Sequence, residues 1–258
     1  MTPLNPRHSL AKFLLLGLCS GLFACASNNQ AGRTESAGLT PDARLSVAEA
    51  AEAAGDQDLA LSMYVTAATN APTDVAMQLR ATDALARHGQ YAQAEQLLHA
   101  ALAKSPDQRE LTRALGLIYL VSGNAAPAVQ TFDKVLARDP RDVNALADKG
   151  IALDLLHRHA DAQALYRQAL QSEPDDAAIA NDLALSLMLD GRLKEAQAVL
   201  EPFGHADAPP RLLTNLAILR AANDPGAHAP PGTGTADSQI LDIARVLAQG
   251  PGGPSIQR

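Results

Sequence analysis

One punctuation interval constrains this chain more than any other feature. Pro72, Pro106, Pro140 and Pro174 stand 34 residues apart, and Ala208-Pro209 falls at the next step. Gly55, Gly89, Gly123 and Gly191 keep the same interval, with His157 in the remaining place. Proline ends a helix because it lacks an N–H and its ring collides with the preceding turn. Glycine accepts the left-handed conformation in which helices commonly stop. The chain is therefore cut into short helices of about three turns, two per interval. Such a pair cannot close a core alone and must bury its apolar face by stacking on the next copy.

Within each interval the second helix carries Ala60, Ala94, Ala128, Ala162 and Ala196 at one position, without exception. One turn further along the same face stand Tyr64, Leu98, Phe132, Tyr166 and Leu200. A small residue at a helix crossing lets two backbones approach, and the large one fills the hole beside it. In the window 109–142, Leu115-Gly116, Tyr119, Gly123, Ala128, Phe132 and Pro140 lie at the spacings of a tetratricopeptide (TPR) unit. The chain resembles that family over units 41–74, 75–108, 109–142, 143–176 and 177–210, with a partial unit at 210–222. The resemblance implies an all-α, right-handed superhelical solenoid of antiparallel helix pairs. Some positions depart from it. The first-helix aromatic place holds Gln78, Thr112 and Ala180, the chain has no Trp, and Lys149 stands where Leu115 and Leu183 do. Pro202 should end its helix early, and Leu216-Ala217 arrives one residue out of register.

The flanks are of another kind. Arg7, His8 and Lys12 precede an apolar run from Phe13 to Leu22, which leads into Leu22-Phe23-Ala24-Cys25. The pattern resembles a bacterial lipoprotein signal over residues 1–24, which would make Cys25 the acylated first residue of the mature chain. An uncleaved anchor is the alternative, but the run is shorter than the roughly 20 residues that span a bilayer. Removing Arg7 and Lys12 leaves 19 basic against 28 acidic residues, a net charge of −9. Ala26 after the cysteine resembles the outer-membrane sorting class, which would place the protein on that membrane's periplasmic face. Residues 25–40 read as a small, polar tether. Beyond the repeats, 223–236 is rich in Pro and Gly and reads as a loop. Ile240, Leu241, Ile243, Ala244 and Leu247 then recur at helical spacing and point to a helix over 237–249, before a tail at 250–258. That helix either covers the last face of the array or binds a partner.

No catalytic motif stands out: there is no Gly-x-Ser-x-Gly elbow, phosphate loop, His-Glu-x-x-His or metal-spaced cysteine pair. Gly232-Thr233-Gly234 lies in the Pro-rich stretch without a preceding strand. His157 and His159 are two apart and read as a solvated turn pair. Asp107/Glu110 and Asp175/Asp176 sit at unit junctions and read as helix caps. No enzyme, cofactor, metal or small-molecule substrate is expected, and a formal charge of −7 argues against a phosphate-binding surface and hence against nucleic acid. A surface remains. In the TPR family certain first-helix positions line the concave groove, and the resemblance places Leu117, Leu120, Val121, Ile151, Leu155, Leu185, Met188 and Leu189 there. The first two units put Glu49, Glu52, Asp83 and Arg87 in those places, so the groove should begin acidic and turn apolar.

The signal near Cys25, together with the segments Asn181 to Ala184 and Asn215 to Ala217, resembles the TadD lipoproteins of tight-adherence (Flp) pilus assembly systems. That resemblance implies a lipid-anchored assembly factor helping an outer-membrane secretin, or another pilus component, to localise or assemble. TPR-type pilotins of type IV pili are close to the same pattern. A cytoplasmic or inner-membrane TPR adaptor for other client proteins, anchored by residues 13–26, stays open beside them.

Overall fold

A computed structural model describes residues 38–224. The leader, most of the tether with Cys25, and the segments 225–236, 237–249 and 250–258 lie outside the described residues. Those described form eleven α-helices and no strand: α1 Pro41–Ala53, α2 Gln57–Asn70, α3 Val75–Arg87, α4 Tyr91–Lys104, α5 Arg109–Val121, α6 Ala125–Leu136, α7 Val143–Leu155, α8 His159–Ser172, α9 Ala177–Leu189, α10 Leu193–Leu200 and α11 Pro210–Asn223. They stack as the expected solenoid, each helix packing on the next.

The punctuation works as read. In each of the five complete units the first helix ends in the same pair of backbone bonds, such as Gly123 N–H to Leu120 C=O and Asn124 N–H to Tyr119 C=O. These satisfy the last carbonyls of the helix through a left-handed residue. Gly55, Gly89, Gly123 and Gly191 have φ between +71° and +81°, and His157 takes +58° without being glycine. Starts are capped by Thr40, Asp56, Asp74, Asp142 and Asp176, whose side chains accept from backbone N–H groups of the first turn. Of Asp175 and Asp176, it is Asp176 that caps. Asp107 does not: it pairs with Arg138 at 2.6 Å, and Gln108 takes the cap position without a side-chain bond. Glu110 lies in the first turn of α5, where the helix dipole favours a carboxylate. Pro202 ends α10 at Leu200, followed by a 3₁₀ turn at Glu201–Phe203.

The crossings are tight. All five second-helix alanines are at most 1% exposed, and the large residues one turn later at most 5%. The first-helix residue opposite is matched in size. A Cβ on Gly116 would lie 2.5 Å from Cε1 of Phe132, and one on Gly150 2.5 Å from Cε1 of Tyr166. Where the second helix has Leu98 or Leu200, the opposite place holds Thr82 or Ala184, both buried. Lys149 keeps its place by stretching its stem along the stack until the ammonium meets Asp133 at 2.6 Å.

Helices two apart in the chain show which side is inner. α3 packs closely on α5, α5 on α7, α7 on α9 and α9 on α11, whereas among second helices only α2 and α4 do so. First helices therefore lie on the shorter radius and form the inner wall. Their C-terminal ends share one edge of it, the rim where the glycine turns sit.

Candidate protein-interaction surface

The expected groove positions divide by burial. Val121 and Leu155 are 55% exposed and Leu189 65%. They occupy the last residue of three successive first helices and form an apolar row along the rim, with Ile151 beside it at 36%. Leu156, at the same edge, was not among the expected groove residues but is as open as Ile151. The other four are not open anchors. Leu117 and Leu120 pack into the cluster of Ala128, Phe132 and Ala152, and Met188 packs on Ile218 and Ala222. Leu185 is half-buried. These side chains point along the stack as well as inward, so the next unit covers part of each.

The acidic start of the groove is largely paired with arginines. Arg80 holds Glu49 at 2.5 Å, and Arg87 holds Asp83 at 3.0 Å and also binds Glu52. The Arg87 guanidinium, and then the Tyr64 hydroxyl, hold the Glu52 carboxyl below the usual range. Arg80 lies outside the positions that the resemblance assigns to the groove, which is why its pairing with Glu49 was missed. Another cleft, of about 300 Å³, opens among Leu79, Arg113, Leu117 and Asn144. Arg113 donates to Asp148 at 2.6 Å across its edge. Burial pushes the Asp148 carboxyl up while Arg113 pulls it back.

One unit later that compensation is absent. Asp182 occupies the place of Asp148, but Ala147 stands where α5 has Arg113. Burial, with the negative charges of Asp154, Asp176 and Asp148 adding to it, pushes the Asp182 carboxyl up to about 6 against the opposing hydrogen bond from Asn181. Asn181 in turn accepts from Asn215 Nδ2 at 2.8 Å, which ties the fifth unit to the partial sixth.

A polar knot at α7–α9 was also missed as a group. Asp154 accepts from Ser186 Oγ at 2.7 Å and from Tyr166 Oη at 3.1 Å, and His159 Nδ1 lies 2.8 Å from the same carboxylate. His159 is thus half-buried against the stack, whereas His157 is exposed at the turn as expected. Its ring meets that of His157 edge-on with centroids 6.0 Å apart, so the two do not converge on one ion. Among the described residues no group of His, Cys, Asp and Glu is placed to hold a metal. Chemically the knot is structural. Both hydroxyls donate to the one carboxylate, and Ser186 is fully buried, so its oxygen is closed off from any substrate.

A signal for this knot was present in the sequence. Tyr166 lies twelve residues after Asp154, and Tyr64 lies twelve after Glu52 and donates to it at 2.9 Å. In the units whose large residue is Leu98, Phe132 or Leu200, the matching position is Ala86, Leu120 or Met188. An acid appears at that place only where a buried phenol needs an acceptor. Glu52 and Asp154 therefore serve the crossings as acceptors for these phenols.

With this geometry in view, known proteins can be set beside it. A family model described as "Tetratricopeptide repeat" matches residues 85–149 and 156–219. An uncharacterised protein, y4yS, of Sinorhizobium fredii (strain NBRC 101917 / NGR234) is 40% identical over 68 residues, 26% of this chain and 37% of that protein. The match thus spans little more than a third of that curated relative. A tetratricopeptide repeat protein from Parabacteroides merdae has a TM-score of 0.61 at 19% identity, over 84% of this chain and 89% of that one. PilW, described as a widely conserved type IV pilus biogenesis factor, has a TM-score of 0.59 at 19% identity, over 81% and 92%. At these identities the two solved structures show a common fold.

Proposed function

Because the chain belongs to the tetratricopeptide repeat family, we propose that it is a scaffold for another protein and that its working surface is the rim of the inner wall. The observation that carries this reading is the apolar row Val121, Leu155 and Leu189, open at the same place in three successive units while the crossings behind it are sealed. Rows of exposed apolar side chains on a rigid wall suit an apolar helix or extended segment of a partner. Ile151 extends the row, and Leu117, Leu120, Leu185 and Met188 form the floor that fixes its spacing.

The finer reading concerns place and partner. A leader ending at Cys25 would anchor the array by lipid to the periplasmic face of the outer membrane, and a secretin or other pilus assembly component of a tight-adherence system would be its client. What supports this is the basic, apolar and small-residue order of residues 1–25 and the segments Asn181 to Ala184 (Asn-x-Leu-Ala) and Asn215 to Ala217 (Asn-Leu-Ala). Two experiments test it. Growth with labelled palmitate should mark the wild type and not Cys25→Ser; an unlabelled wild type would point to a cytoplasmic or inner-membrane adaptor. Immobilised protein should retain the secretin from the same envelope, and the triple variant Val121→Ser, Leu155→Ser, Leu189→Ser should lose it. Retention by the triple variant would reject the rim as the working surface.

A further inference from the structure

The sixth unit is half a repeat, and the half that is present shows what it lacks. Two first-helix positions are sealed in the complete units, the second of them by the large residue of the unit's own second helix, as Phe132 lies over Gly116 and Tyr166 over Gly150. One holds Gln78, Thr112, Leu146 and Ala180, the other Thr82, Gly116, Gly150 and Ala184, and all are buried. α11 carries the same face one residue out of register: Leu212, Leu216 and Leu219 are buried against the fifth unit, as the register requires. On that register the two sealed positions fall at Leu213 and Ala217, and both are only half-buried, as is Ala221 one turn on. Arg220, between them, is exposed and drawn sideways to Glu201 at 2.6 Å. α11 thus presents a face of one leucine and two alanines, with no second helix over it among the described residues.

We propose that the occupant of this face is the chain's own segment 237–249, acting as the second helix of a sixth repeat whose connecting turn has been lengthened by residues 224–236. Three observations support this occupant. First, the chain leaves α11 at the rim, the edge where every preceding unit reverses direction into its second helix. An antiparallel return is therefore the direction the stack already imposes. Second, the connection is long enough: thirteen residues can span up to roughly 40 Å, whereas packed helix axes lie about 8–10 Å apart. Third, the sizes match. Each earlier unit sets large second-helix residues against small first-helix ones, and Ile240, Ile243 and Leu247 share one helical face that would meet Ala217 and Ala221. The tail then closes the array and leaves the rim free for a partner.

The test uses full-length protein carrying Cys19→Ser and Cys25→Ser, so that introduced cysteines are the only thiols. With Ala217→Cys and Ile243→Cys, mild oxidation at low protein concentration should give an intramolecular disulfide in most molecules. Dimers, no bond, or preferential coupling of Ile243→Cys to Leu189→Cys would overturn the assignment. A second measurement does not depend on cross-linking. Ile243→Asp should speed hydrogen exchange of the Leu216–Ala222 amides at least tenfold while leaving α5 and α6 unchanged; unaltered exchange in α11 would equally overturn it. Neither readout involves a client protein, so their failure would leave the rim reading standing, and failure of client capture would leave this one standing.

Discussion

The helix crossings and the rim carry the same kind of residue at the same period, and the fold treats them in opposite ways. Phe132 and Leu200 recur with the unit and are fully buried; Leu155 and Leu189 recur with it too and stand more than half exposed. The difference is one of place on the same pair of helices. A crossing residue meets the partner helix of its own unit, whereas the last residue of a first helix is followed at once by the left-handed turn and has no helix beyond it. Apolar repetition alone is thus ambiguous between stability and binding, and the presence or absence of a helix opposite resolves it.

The contrast is broken most severely at the crossings. Phe132→Ala should cost about 3–5 kcal/mol, the range for deleting a buried aromatic, and the loss should appear as a lower melting temperature with helicity retained at low temperature. Ala128→Leu should cost about 1–3 kcal/mol, because a larger side chain at that crossing must push α5 and α6 apart. A melt within a degree of wild type for either would mean that the crossing is not tight.

Asp182 should give a smaller effect, and one that depends on pH. Its carboxyl is raised from 3.8 to about 6 in the folded chain, so the folded state binds this proton more firmly than the unfolded one. Stability from this group is full below pH 4 and is lost as pH rises through 6. The shift would amount to roughly 3 kcal/mol if fully expressed, and solvent screening of a partly open group brings it nearer 1–2 kcal/mol. Asp182→Asn should therefore raise stability at pH 7.5 by about that amount and leave it unchanged near pH 4. Equal melting shifts at both pH values would show that burial of this carboxylate is not the cause.

The rim is predicted to give the smallest stability effect. Val121→Ser, Leu155→Ser and Leu189→Ser should each change stability by about half a kcal/mol or less, as open positions do, while capture of the client falls. Arg80→Ala and Arg87→Ala sharpen the comparison at the other end of the wall. Both arginines are half exposed, so removing either should cost at most about 1 kcal/mol, but the freed Glu49, Glu52 and Asp83 would turn that end acidic. A strong loss of client binding there, with none at Leu155 or Leu189, would move the working surface from the rim of the middle units to the first two.

By itself the sequence determined the period, the helix ends and the sealed crossings, because these depend on residues whose effect is local. Glycine at the turn place takes the left-handed conformation that ends a helix, and an alanine followed one turn later by a large residue packs the same way in every copy. It also held the pairing of the two second-helix tyrosines, Tyr64 and Tyr166, with an acid twelve residues earlier, since each of these phenols lies opposite the first helix of its own unit. Only the tertiary structure decided which groove residues are floor and which are rim, that Arg80 and Arg87 reach back to Glu49 and Glu52 of the first unit, and that Asp182 lacks the cation given to Asp148. Each of these depends on the residue that the next unit brings alongside, roughly 34 positions away, and a single unit read alone does not contain that neighbour.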